Sequence, residues 1–284
     1  MSEDINTLLR MSYLLKWGLR KHIEIKGKTM KDSADENIRY SIEGKVFIIE
    51  IHRPEKKNAL LPGMYAALAA GLRQANETVD VNVILIRGVD DCFTSGNDVS
   101  GFIASATPSA ERPSVAFMNA LNESAKPIVA AISGLAIGIG TTLLFHCDLI
   151  YASDSCFLQL PFSRLGLCPE AGSSYLLPKQ IGHVRAAELL LLGERFSASK
   201  AKEYGIINEV LPQDQYLEFA MNKAQELAAL PADSVQTSKA LIKRGQQSAV
   251  SEIIGIELDE FARLLETPDA QAIVQAFFDK KKSA

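Results

Sequence analysis

The sequence predicts an α/β fold built from parallel crossover units, and three observations predict it. Apolar runs of strand length occur at residues 45–51, 81–86 and 127–132 and are separated by segments of helical composition. Each run closes on turn-forming residues, Arg53-Pro54, Arg87-Gly88 and Ser133-Gly134. From Ser173 onward the pattern is almost wholly helical. With 284 residues, 47% of them hydrophobic, the chain can bury one large core or two small ones, which excludes intrinsic disorder.

Residues 1–36 read as an N-terminal extension, expected to be poorly ordered. Its longest apolar run before Lys16 is Tyr13-Leu14-Leu15, too short for a secretory signal, and a cytoplasmic location is expected. The first strand, residues 45–51, is rich in Val, Phe and Ile, and an Ala- and Leu-rich helix follows over 62–77 with Pro62 at its first position. The strand at 81–86 leads into the loop Cys92-Phe-Thr-Ser-Gly-Asn-Asp98. Residues 100–114, rich in Ser, Ala, Thr and Pro, read as a mobile surface loop before a helix ending near Ser124.

The segment 127–147 carries no Asp, Glu, Lys or Arg over 21 residues and contains Gly134 and Gly138 at the spacing of a membrane helix pair. It reads instead as a strand over 127–132, a glycine-rich turn over 133–140 and a helix over 141–147, the interior of an α/β core. Short strands follow at 149–152 and 156–160. Helices are expected at 216–230, 234–247, 251–266 and 268–282, broken at Leu230-Pro231 and Thr267-Pro268.

A formal charge of −4 provides no global basic field, which counts against nucleic acid or anionic membrane as the main partner. Cys92, Cys147, Cys156 and Cys168 contain no CxxC pair and read as reduced thiols; His22, His52, His146 and His183 form no HExxH or HxxxH pair, so no metal site is expected.

Three features could carry chemistry. The loops Ser95-Gly-Asn-Asp98 and 133–140 follow strands and present backbone amides; glycines flank Ile139 where a helix should begin, leaving its N–H able to meet developing negative charge. As a pattern alone this is weak, since GxxxGxG is neither the dinucleotide fingerprint nor a P-loop. Third, Glu170 stands among uncharged neighbours in 166–175, where it could serve as a base in an apolar pocket, cap the next helix, or face solvent.

From about Asn37 to its end the chain resembles the crotonase superfamily of enoyl-CoA hydratases and isomerases. The matches are Arg53-Pro54, Asn58-Ala59-Leu60, Phe93-Thr-Ser-Gly-Asn-Asp98, Ala131 to Gly140, Cys147-Asp148, Leu165-Gly166 and the segment from Ala198 to Val210. The resemblance implies a ββα spiral of the ClpP-like kind over 37–215 and a C-terminal helical trimerisation region over 216–284. It also implies a homotrimer or dimer of trimers and an acyl-CoA substrate, with no cofactor beyond the CoA carried by that substrate. Its family role for the two loops is to hold a thioester carbonyl on the N–H groups of Asn97 and Ile139, with Ser95, Gly96, Asp98, Val99, Gly138, Lys57 and Phe162 around the substrate. Lys56, Lys57 and Lys280 to Lys282 are the implied candidates for the CoA phosphates.

Hydratases of the family use two glutamates, and this chain carries Thr142 and Phe162 at those positions, neither of which is a base at neutral pH. The stretch 161–175, with Ser95 to Asp98, is similar instead to monofunctional Δ3,Δ2-enoyl-CoA isomerases, whose catalytic glutamate matches Glu170. The resemblance implies proton shuttling from C2 to C4 through a dienolate in fatty acid oxidation. Phe162 would then dry the pocket. The alternatives are a hydratase or another enolate-forming CoA-thioester enzyme using Glu170 alone, and a noncatalytic CoA-ester or RNA-binding homologue.

Overall fold

Alternation of Ile38, Tyr40 and Ile42 with Arg39, Ser41 and Glu43 makes β1 (Ile38–Glu43) an edge strand with one apolar face, and Gly44 at φ +61 turns it onto β2 (Val46–Ile51). In the computed structural model, which describes residues 31–89, 91–98 and 112–282 (side chains as far as 276), this pair opens a six-stranded sheet. The other strands are β3 (Val83–Arg87), β4 (Ile128–Ile132), β5 (Leu135–Ile137), β6 (Leu149–Ser153), β7 (Phe157–Gln159), β8 (Arg195–Ser197) and β9 (Glu209–Leu211). The large sheet runs β1-β2-β3-β4-β6-β9, parallel except for β1, and the small sheet runs β5-β7-β8.

Two residues separate β4 from β5, so after each long strand the chain steps into the small sheet before entering a helix. Gly134 makes this step at φ +57, where a Cβ would lie 1.7 Å from the Asp91 carbonyl oxygen; no other residue fits. The same step follows β6 into β7. After β3, Thr94 takes the corresponding place beside β5: its N–H donates to Leu135 O and its carbonyl accepts from Ile137 N. Repetition of strand, short strand and helix is the ββα spiral expected from the resemblance.

The helices are α1 (Pro62–Glu77), α2 (Pro113–Glu123), α3 (Ile139–Thr142), α4 (Ser173–Ile181), α5 (His183–Leu192), α6 (Ala198–Glu203), α7 (Tyr216–Ala229), α8 (Ala232–Ile242), α9 (Gln247–Leu265) and α10 (Pro268–Lys282). One face of the large sheet presents Val46, Ile48, Val83, Leu85, Val129, Ala131 and Tyr151 at period two. Against it lies the stripe Tyr216, Ala220, Ala224 and Ala228 of α7 at period four, its small side chains letting the helix approach closely. Lys239 of α8 donates to Asp148 Oδ2 at 2.7 Å and to Lys126 O at 2.8 Å, while Ile128 N reaches the same Asp148 oxygen at 2.7 Å; this buried cluster ties α8 to the start of β4.

Some expectations need correction. The helix expected over 141–147 is a single α turn, Ile139–Thr142, followed by a 3-10 turn at Leu143–His146, because the Gly138 backbone sets the start. The glycine-rich turn also contains β5, and the helical third contains β8 and β9, three-residue strands held by pairing partners rather than by local composition. The expectations for residues 1–30, Val99, most of the 100–114 loop, and the side chains of Lys280 to Lys282 fall outside the described residues.

Candidate active site

Asn58 organises the first loop. Fully buried at φ +55, it accepts from Arg53 N at 2.6 Å and its amide lies within hydrogen-bond reach of the Ile51, Cys92 and Phe93 carbonyls. Arg53 in turn bridges Ala59 O at 2.9 Å and the Asp98 carboxylate at 2.8 Å, and Ser95 N donates to Lys57 O. Leu60 N donates to Gly96 O and Asp98 N donates to Leu60 O, the pattern of a parallel bridge around Asn97. In that pattern the central residue's own N–H points away from the partner strand. The Asn97 amide therefore faces the opposite side.

The second loop meets the first through glycines. A Cβ on Gly96, at φ +89, would lie 2.7 Å from Ile137 O, and a Cβ on Gly140 would lie 2.5 Å from the Thr94 side chain. Gly138, at φ 57 and ψ −118, sits immediately before α3, so Ile139 is the first helical residue and its N–H has no preceding carbonyl in the helix. Gly96 is thus brought against Ile137 and Gly138, so that the loop carrying Ser95 to Asp98 lies beside the loop carrying Gly138 and Ile139.

Glu170 enters from a different element. Ala171 at φ 58 and Gly172 at φ 72 are consecutive left-handed residues that turn the chain into α4, and the Glu170 carboxyl is folded inward, only 6% exposed. Its Oε1 is buried with no hydrogen-bond partner, so it neither caps α4 nor faces solvent. Burial first, and the nearby Glu257 carboxylate second, push its pKa up to about 8.

The capping role belongs to Glu257 of α9. Its carboxylate accepts from Gly172 N at 2.6 Å, Ser174 N at 2.9 Å and Ser174 Oγ at 2.5 Å, three donors at the start of α4. Burial raises the Glu257 pKa, opposed by these donors.

Tyr65 of α1 links the parts. Its hydroxyl donates to Asn97 Oδ1, and its phenol is held well above the usual range by burial and then by the charge of Glu170, which places Asn97, Tyr65 and Glu170 in one neighbourhood. The Phe117 ring packs on Tyr65 at 5.8 Å between centroids. His146, held neutral by burial with a pKa lowered to about 4, donates from Nε2 to Ala171 O at 2.7 Å and so supports the same turn.

Thr142 and Phe162 are both buried; Thr142 Oγ1 has no partner, and the Phe162 carbonyl accepts from Leu165 N and Leu167 N in the turn leading toward Glu170. Lys57 is exposed at φ 51 beside the first loop. Among the described residues no group of three His, Cys, Asp or Glu is arranged to hold a metal, and no helix is long and apolar enough to cross a membrane. Sequence reasoning missed Tyr65 and Glu257. The second left a signal: Glu257 interrupts the apolar stripe Val250, Ile254 and Phe261, an acid where the helical period demands a buried side chain.

Two sheets wound as strand, short strand and helix, with helices at the C-terminal end, define a crotonase-fold protein. The chain belongs to the enoyl-CoA hydratase/isomerase family, whose profile matches residues 41–284. It is similar to the solved structure of OdaA from Pseudomonas aeruginosa, at 40% identity and a TM-score of 0.83, covering 86% of this chain and 99% of that one. It is also 34% identical to enoyl-CoA delta isomerase 2 of Rattus norvegicus over 227 residues, 78% of this chain but 58% of the relative's length. The 2,3-dehydroadipyl-CoA hydratase of Escherichia coli (strain K12) is 29% identical, covering 85% of this chain and 95% of the relative.

Proposed function

We propose that the protein is a Δ3,Δ2-enoyl-CoA isomerase acting on 3-enoyl-CoA thioesters in fatty acid oxidation. The observation that carries this reading is the buried Glu170 carboxyl with an unpartnered oxygen, in a chain that has Thr142 and Phe162 where the resemblance puts a hydratase's glutamates. As the carboxylate, Glu170 takes a proton from C2; the C2–H electrons form the C1–C2 double bond of a dienolate whose oxygen is received by the N–H groups of Asn97 and Ile139. The carboxylic acid then returns the proton to C4, the C3–C4 double bond moves to C2–C3, and the carbonyl reforms. Two preorganised amides would lower the barrier by about 3 kcal/mol each. One base serves both carbons when they lie on the same face.

The delta isomerase name of the rat relative supports the reading, as does the pair of residues at the hydratase positions: Thr142 and Phe162 are both buried and neither can act as a base toward water. CoA enters with the substrate and no further cofactor is required. Exposed Lys57 beside the first loop is our candidate contact for a CoA phosphate. We extend the reading to a cytoplasmic homotrimer or dimer of trimers; the exposed Leu241, Ile242 and Ile256 of the C-terminal helices support an assembled state, which light scattering would test.

The test is to incubate the protein with a 3-enoyl-CoA and follow the ultraviolet absorbance of the conjugated 2-enoyl thioester, with Glu170→Gln alongside and products analysed by mass. Conjugation without gain of water, lost in the variant, is the expected result. A hydrated product, or turnover that survives Glu170→Gln, would assign the site to another enolate-forming reaction.

A further inference from the structure

We propose that Glu257, carried by the C-terminal helix α9, is a positioning residue for Glu170, anchoring the turn that aims the catalytic carboxyl and supplying the fixed negative charge beside it. This inference rests on the isomerase reading for the role of Glu170. Its geometric basis does not.

Glu257 lies 87 residues beyond Glu170 in the chain, yet its carboxylate closes on the two residues that frame the turn, with three donors from Gly172 and Ser174. The turn holds Ala171 in a conformation that L residues rarely adopt, at φ 58, so an outside anchor is needed to keep it. The rest of the α9 face completes the grip: a Cβ on Gly172 would lie 3.0 Å from Val250 Cγ1 and 3.7 Å from Ile254 Cγ1, and Cys168 Sγ donates to Glu257 O at 3.5 Å. α9 is itself fastened to α2, where Asn122 donates to Gln247 O at 3.1 Å and Ser251 Oγ at 3.0 Å.

The groups facing this pair can be named element by element. α1 contributes Tyr65, whose phenol stays neutral; the Cys168 thiol of the same loop is pushed up to about 11 by burial, with Glu257, Glu260 and Glu170 adding to it. The turn after α3 contributes neutral His146, with Lys243, just past the end of α8, on its carbonyl at 3.1 Å. No cation touches Glu257 among the described residues, and its donors are neutral. Burial works against the charged form of Glu257 and its three donors favour it; where it is charged, it opposes ionisation of Glu170. The C-terminal helix thereby holds the base at high proton affinity as well as in place.

The experiment compares wild type with Glu257→Gln, a nearly isosteric change that removes the charge and turns an amide NH2 toward a donor of Ser174. Glutamate carboxyls are labelled with 13C and titrated by NMR, the Glu170 signal being identified by its loss in Glu170→Gln. The Glu170 midpoint should fall by about one pH unit. The acid limb of kcat/KM should fall with it, kcat should drop about tenfold, and KM should stay within twofold. A variant with lower Tm but the wild-type Glu170 midpoint and kcat would show Glu257 to be merely structural and overturn the proposal. Should the variant not fold, the wild-type titration decides: Glu257 must ionise at lower pH than Glu170, and the reverse order refutes it. Failure of wild type to conjugate a 3-enoyl-CoA would sink the isomerase reading, while the NMR titration still decides whether Glu257 governs Glu170.

Discussion

Replacing Glu170 with Gln should stabilise the fold, by an amount that depends on pH in a calculable way. The carboxyl titrates at 4.5 without the fold and at about 8 within it, burial being the main cause. A carboxyl raised in the folded state leaves stability intact below the unfolded value; stability is then lost as pH rises through the folded value, because between the two the native chain binds the extra proton. At about 1.4 kcal/mol per pH unit, the penalty is about 1 kcal/mol at pH 5, about 3 at pH 7, and levels near 5 above pH 8. Gln carries no charge at any pH, and it fits where Oε1 already lacks a partner. Urea denaturation of wild type and Glu170→Gln at pH 5, 7 and 8.5, read by circular dichroism, should show the two nearly equal at pH 5 and the variant ahead by several kcal/mol at pH 8.5. A difference that does not change with pH, or a variant that falls behind as pH rises, would refute the view of Glu170 as a buried base kept at a stability cost.

Three further outcomes follow from the same geometry. Gly96→Ala places a Cβ 2.7 Å from Ile137 O at φ +89, so unfolding free energy should fall by about 2 kcal/mol or more and kcat/KM by about 100-fold, as the Asn97 amide is displaced; both are read by denaturation and steady-state kinetics. Lys239→Met strips Asp148 of its buried cation and should destabilise by about 3 kcal/mol, much of it recovered in the Lys239→Met/Asp148→Asn double variant, a thermodynamic cycle that measures their coupling. Tyr65→Phe removes the hydroxyl that orients Asn97, and kcat should fall about tenfold while stability changes by no more than about 1 kcal/mol; an unchanged kcat would remove Tyr65 from the site.

The long elements are legible wherever local chemistry agrees with the tertiary structure. α1 begins at Pro62 and ends at Glu77 as its Pro start and Ala/Leu content indicate, and α10 starts at Pro268 after Thr267. The amide loops could be placed because glycines and strand ends are visible in the chain, whereas their lying side by side is decided by the bridge between Thr94 and Ala136.

What the sequence alone determined is therefore the alternation of strands and helices, the helical third and the two glycine-bearing loops, which follow from composition and spacing. Singling out Glu170 over Thr142 and Phe162 came from the family resemblance, since the residues by themselves left Glu170 as a base, a helix cap or a solvent-facing side chain. Tertiary structure decided the short strands β5, β8 and β9, the burial that lifts Glu170, the Tyr65 contact with Asn97, and the anchoring of the Glu170 turn by Glu257. The physical reason is distance along the chain: a three-residue strand has no stability without its partners, and a carboxyl's proton affinity is set by the solvent excluded and the charges brought near it. At Glu170 one such charge, that of Glu257, comes from 87 positions further along the chain.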